Sequence, residues 1–186
     1  MRRWVCLLLI AVCLSGCRAG NGDMDHALRL RQQVLASQSC SFDVQIVADY
    51  GDVVHSFSLR CMADGAGGLA FTVTAPESIC GITGSVDKTG GKLTFDDVAL
   101  AFPVLAEKLP SPVSGPWVFY NGLRSGYIAS VGADGNHTRV RIHDNYGDNA
   151  LQLDLWLDGQ QCPVQADVIW ENRRILTMQI RNFQIV

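Results

Sequence analysis

From Cys40 to Cys61 the chain alternates with a period of two. Phe42, Val44, Ile46 and Ala48 are apolar, whereas Ser41, Asp43 and Gln45 between them are polar. After Asp49-Tyr50-Gly51-Asp52 the pattern resumes with Val53, His55, Phe57, Leu59 and Cys61 on alternate positions. Successive side chains of a strand leave opposite faces, so this reads as a β-hairpin with one buried face. With Tyr50-Gly51 as a two-residue loop, Ala48 faces Val53, Ile46 faces His55, Val44 faces Phe57, Phe42 faces Leu59 and Cys40 faces Cys61. The last pair is then non-hydrogen-bonded, with Cα atoms about 4.5 Å apart and within reach of a bridge. A Cys40 to Cys61 disulfide is expected on this register, worth about 3 kcal/mol in the loop-entropy model. The alternative is two buried thiols.

The same alternation recurs along most of the chain. A turn over 63–68 leads to a third strand over 69–74, which Pro76 ends. Residues 79–86 and 92–102 read as two further strands around a turn at 87–91, with Gly81 and Gly84 marking bending or the close approach of another backbone. A four-stranded meander follows, over 138–143, 150–157, 162–170 and 174–185, turning at Asp158-Gly159 and Glu171-Asn172. Two helices interrupt this β pattern. One spans 24–37 behind the N-cap Asp23, with Met24, Ala27, Leu28, Val34 and Leu35 at helical spacing. The other starts at the cap Ser114, carries Pro116 in its first turn and Trp117, Val118, Tyr120 and Leu123 beyond, and stops near Gly126. The class is α+β, mainly antiparallel β, with the helices covering one face of the sheet. Trp117, Phe119 and Tyr120 either line an apolar ligand cavity between helix and sheet or are plain core.

At the amino terminus, Arg2 and Arg3 precede an apolar run from Trp4 to Leu14. Its length of about eleven residues suits the h-region of an export signal and falls short of the roughly 20 needed to span a bilayer. The run ends in Leu14-Ser15-Gly16-Cys17, which resembles a bacterial lipobox. That resemblance implies cleavage before Cys17 and attachment of palmitate-type acyl chains to its thiol and new amino group. Two or more chains give stable anchoring where one binds only marginally. The expected organisation is a signal peptide over 1–16, a lipidated Cys17 and short tether over 17–23, and one domain over 24–186, on the extracytoplasmic face of a cell membrane.

Removing the signal leaves 13 basic against 18 acidic residues, a net charge of −5, which offers no electrostatic attraction to nucleic acid. It also leaves four cysteines besides Cys17. Cys80 and Cys162 are the pair remaining after the hairpin, either bridged across the sheet or free. No histidine pair among His26, His55, His137 and His143 has metal-ligand spacing, and no catalytic serine elbow, zinc helix or phosphate-cradling glycine loop is present. His55 is expected in the core opposite Ile46, and His143-Asp144 at a strand end, in a solvated turn. Asp96 and Asp97, adjacent on an expected strand, point to opposite faces and do not form an acid-base pair with Glu77. The reading is of a chain that is not an enzyme and needs no metal or cofactor.

The order of these elements, with P-x-x-I-x-G-I-T-G over 76–84 and L-x-F-D-D-V over 93–98, resembles the lipoprotein-carrier-like (LolA/LolB-like) superfamily, nearest to the germination-type lipoproteins of spore-forming bacteria. The resemblance implies an open, strongly curved, incomplete β-barrel with helices on its concave side. It implies one of two activities. The first is a non-enzymatic binding scaffold for an envelope protein such as a cell-wall amidase in germination. The second is a lipid or acyl-chain binding module that uses the concavity.

Overall fold

The computed structural model describes residues 21–106, 109–147 and 150–186. The export signal, the lipobox, Cys17 and residues 18–20 of the tether lie outside the described residues. Helix α1 (Asn21–Ala36) opens the fold, so Asn21 to Asp23 of the expected tether are helical and Asp23 sits in the first turn.

Eleven strands then form one antiparallel sheet: β1 (Ser39–Asp49), β2 (Val54–Asp64), β3 (Leu69–Ala75), β4 (Thr83–Asp87), β5 (Gly90–Phe95), β6 (Val98–Phe102), and, after a small hairpin of β7 (Leu105–Ala106) and β8 (Leu109–Pro110), β9 (Tyr127–Asp134), β10 (His137–His143), β11 (Gln152–Leu157), β12 (Pro163–Trp170) and β13 (Arg173–Ile185). Helix α2 (Gly115–Ser125) separates the two halves in sequence. In space the halves meet through β1 and β13, giving the order β6-β5-β4-β3-β2-β1-β13-β12-β11-β10-β9. The sheet is curved and unclosed, the open α+β half-barrel expected.

Alternation sets which face is buried. Phe42, Val44, Ile46 and Ala48 of β1, Leu59 and Cys61 of β2, Phe71 of β3, Leu153, Leu155 and Leu157 of β11, and Leu176, Met178 and Ile180 of β13 all lie in one core on the concave side. Helix α1 adds Ala27, Leu30 and Val34 at i, i+3 and i+7, whereas Leu28 and Leu35, expected on the same stripe, are exposed. Helix α2 adds Val118, Phe119, Tyr120 and Leu123.

The first hairpin differs from its expected register. Cys40 faces Ala63, Phe42 faces Cys61, Val44 faces Leu59, Ile46 faces Phe57 and Ala48 faces His55, an offset of two residues. Asp49 causes it: its carboxylate accepts from Gly51 N at 2.8 Å, and Tyr50 N donates to Val53 O at 3.1 Å, so the loop is four residues long rather than two. An even offset leaves every side chain on its face and changes only its opposite number. His55 moves outward to the exposed end of the sheet. The register places Ala63 rather than Cys61 opposite Cys40, and no bridge joins Cys40, Cys61, Cys80 or Cys162 in the structure.

Two further differences are local. The expected strand over 92–102 breaks at Asp96-Asp97, whose φ values of 46° and 63° form a two-residue turn between β5 and β6. The two carboxylates therefore sit at a hairpin tip. Strand β9 precedes the expected meander and makes it five-stranded. Gly84 does mark a close approach, since a Cβ there would stand 2.7 Å from Lys92 O and run into the Phe71 ring.

Candidate functional site

Helix α2 is lodged on the concave face. Phe119 and Tyr120 are 0 % exposed. The Phe119 ring meets Phe42 edge-on at 5.3 Å and Phe183 at 6.2 Å. On the neighbouring side of the helix, residues 117, 120 and 124 hold the turn between β2 and β3. Trp117 Nε1 donates to Gly67 O at 2.9 Å, Tyr120 Oη to Asp64 O at 2.8 Å and Arg124 Nη2 to Gly65 O at 2.8 Å. The helix's last carbonyls have a cationic cap from α1: Arg31 Nε donates to Leu123 O at 2.7 Å and Arg31 Nη2 to Gly126 O at 2.8 Å. A positive group there also opposes the negative end of the helix dipole.

Of the three aromatic residues considered as ligand lining, the structure puts Phe119 and Tyr120 in the core and leaves Trp117 at a cleft. This cleft of about 330 Å³ runs between α2 and the far half of the sheet, floored by Val118, Gly122, Ile142, Leu151 and Leu153, with Lys88 and Asp144 at its rim. A second groove of about 490 Å³ shares Lys88, Trp117, Asn121 and Ser125 and continues past Arg124 toward Leu35 and the β2–β3 turn. Gly122 keeps the first cleft open, because a Cβ would stand 2.8 Å from Leu153 Cδ2. The alternation of Leu151 and Leu153 was visible in the sequence, but nothing there paired them with Trp117 across α2, and Lys88 gave no signal.

The outer face of β10 to β13 carries a charged network that sequence reading missed. Asp154 is fully buried and accepts from Arg139, from Arg141 Nε at 3.0 Å and from Gln152 Nε2 at 3.1 Å. Burial alone would push its carboxyl up, but hydrogen bonds from Arg141 and Arg139 outweigh that and hold it below the ordinary range. Opposite it in register, Asp167 accepts from Arg174 Nη1 at 3.2 Å, and Arg139 lies over the Trp156 ring at 5.2 Å. Every carboxylate oxygen here is tied to a cation or amide, the arrangement of a structural network.

His143 lies at the end of β10 as expected but is half-buried, while Asp144 is exposed and accepts from Leu151 N at 2.8 Å. Among the described residues no three potential metal ligands cluster. The cleft beside α2 is lined largely by apolar side chains, with formal charge only from Lys88 and Asp144.

No protein-family model matches this sequence, and no curated protein matches it. Structural neighbours include proteins of the LolA superfamily and lipoproteins. A conserved protein of Thermus thermophilus has a TM-score of 0.48 at 9% identity, over 86% of this chain and 87% of that one. A LolA superfamily protein of Nitrosomonas europaea has a TM-score of 0.45 at 7% identity, over 86% and 93%. A chain from the complex of the Clostridioides difficile CwlD amidase with the GerS lipoprotein has a TM-score of 0.43 at 10% identity, over 90% and 98%.

Proposed function

We propose that this chain is a lipid-anchored, non-enzymatic lipoprotein of the cell envelope, tethered through Cys17 on the extracytoplasmic face and acting as a scaffold for a protein partner. The observation that supports this reading most is the seating of α2. Phe119 and Tyr120 fill the concavity where a carrier would hold acyl chains, and three side-chain bonds fasten the helix to the β2–β3 turn. The partner class that the sequence resemblance implies is a cell-wall amidase.

The test uses full-length protein cross-linked in native membranes beside a Cys17→Ala variant. The expected result is an acylated mass beginning at Cys17, one envelope protein recovered in stoichiometric yield, and altered turnover when this lipoprotein is added to that purified partner. An unacylated chain, or no recovered partner, would overturn the proposal.

A second reading has its own support in the apolar cleft of about 330 Å³ beside α2, at the low end of the range for small-molecule sites. It predicts a lipid that stays with the protein in native mass spectrometry and leaves on denaturation. An empty protein that takes up no fluorescent fatty acid would rule this out.

A further inference from the structure

Strand β6 is one end of the sheet, and apart from its shortness it has none of the devices that blunt an exposed edge. The other end, β9, has a bulge: Arg141 faces Ser130 while Ile142 faces Ile128, leaving Ala129 extra. Strand β6 reads Val-Ala-Leu-Ala-Phe, with no charge and no proline within it, and pairs with β5 without a register shift. Charges, prolines and bulges are how edge strands avoid pairing with another chain. Val98 is 71 % and Leu100 65 % exposed, and Phe95, which faces Val98, is 53 % exposed.

The phase of the free backbone groups follows from the hairpin. Phe95 and Val98 close the two-residue Asp96-Asp97 turn, so Val98, Leu100 and Phe102 bond to β5, and the N–H and C=O groups of Ala99 and Ala101 point outward. We propose that these groups bind a second copy of this chain, with two β6 strands pairing antiparallel about Leu100. In that register Ala99 meets the partner copy's Ala101 as a hydrogen-bonded pair, and the symmetric pair completes four backbone bonds. Leu100 meets Leu100 at the two-fold axis as the closer, non-hydrogen-bonded pair, flanked by Val98 against Phe102 on either side. Pro103, which has no N–H, ends the ladder. The occupant is argued from this self-complementarity. The sequence matches its own reverse in size and polarity, small on the outer face and large on the concave face. Pairing also extends the cross-sheet row Phe71, Gly84, Leu93, Leu100 into the same row of the second copy.

Five residues a side is far below the 20 to 30 of a standard interface, so the dimer is a weak one, with Kd on the order of 10 to 100 μM. The test is sedimentation equilibrium of the full chain in density-matched detergent from about 5 to about 500 μM, with amide exchange followed at both ends of that range. The expected result is a monomer-dimer equilibrium in which the Ala99 and Ala101 amides gain protection with concentration, while Val98, Leu100 and Phe102 are protected throughout. Ala99→Pro removes an outward donor and no donor to β5, and Leu100→Lys sets like charges face to face at the axis. Each raises Kd at least tenfold. A monomer at every concentration would overturn the proposal and leave the edge to a strand from another protein. Dimerisation unchanged in both variants would overturn it by placing the interface elsewhere.

Discussion

Phe119→Ala asks whether α2 is a fixed plug or a lid. The ring is fully buried and makes two aromatic contacts, at 5.3 Å to Phe42 and 6.2 Å to Phe183. Truncating a buried phenylalanine costs about 3–5 kcal/mol, from lost transfer energy and the cavity left behind. Phe119 belongs at the upper end, because the sheet and the bonds from Trp117, Tyr120 and Arg124 hold α2 in place and the site collapses little. A loss of about 4–5 kcal/mol is a large share of the 5–15 kcal/mol typical of a whole domain. With a urea slope of roughly 2 kcal/mol per molar, the unfolding midpoint falls by about 2 M. The assay is equilibrium urea unfolding followed by tryptophan fluorescence, for this variant, Phe42→Ala and the double variant. The cycle should return a coupling of about 0.5–1.5 kcal/mol for the edge-on pair. A loss below about 1.5 kcal/mol would refute the reasoning. It would mean that α2 leaves the concave face readily in solution and that the concavity opens for a ligand.

Other outcomes follow from the same contacts. Arg31→Met keeps much of the side chain's bulk but leaves the carbonyls of Leu123 and Gly126 without their donor; a loss of about 1.5–3 kcal/mol is expected, with faster amide exchange at the end of α2. Asp154→Asn leaves Arg139 and Arg141 without their carboxylate, and because both are partly exposed and rehydrate, the cost is about 2–3 kcal/mol rather than the full penalty of a broken buried pair. The folded-state pKa of Asp154 is depressed, so its stabilisation is complete above the unfolded value of about 3.9 and is lost as pH falls through and below it. The drop in urea midpoint between about pH 6 and pH 3 should therefore be smaller in the variant than in the parent. For the thiols, maleimide labelling of the native protein should reach exposed Cys80 first and half-buried Cys162 next, and miss Cys40 and Cys61, where burial pushes both thiols up. Denaturation without reductant should then expose all four; two that stay blocked would reveal a bridge.

What could be read from the sequence was the property local alternation encodes, namely which way a side chain points. Phe42 to Ala48 and Leu151 to Leu157 fall on the face their period assigns. Register is a weaker inference, because it depends on loop chemistry, and here the Asp49 carboxylate folds the chain into a four-residue loop that the Tyr50-Gly51 pair concealed. Two aspartates with positive φ at 96 and 97 defeated the strand reading for a related reason: asparagine-glycine announces such a turn, whereas aspartate-aspartate inside an apolar run does not. The site was less legible still. Trp117, Phe119 and Tyr120 are neighbours in sequence, yet one borders a cleft and two are core. The difference lies in what stands opposite, Leu153 and Ile142 on one side and Phe42 on the other, which belong to strands far away along the chain. Asp154 and its arginines escaped notice because a carboxylate on an outer strand face looks solvated until its neighbours across the sheet are known.

The pairing of β1 with β13 also bears on how the chain is made. Ladder pairs such as Val44 with Ile180 join the first strand to the last, and Val186 N closes the seam by donating to Ser39 O at 2.9 Å. The contact order is therefore high at the middle of the sheet, the opposite of a fold that grows outward from early local contacts. An emerging chain can build β1 to β6 and later β9 to β12, but each half presents an unsatisfied edge until its final segment is delivered. Ribosomal stalling or proteolysis that removes residues 173–186 would leave two aggregation-prone half-sheets, and one missing strand would undo the centre of the molecule rather than fray its rim.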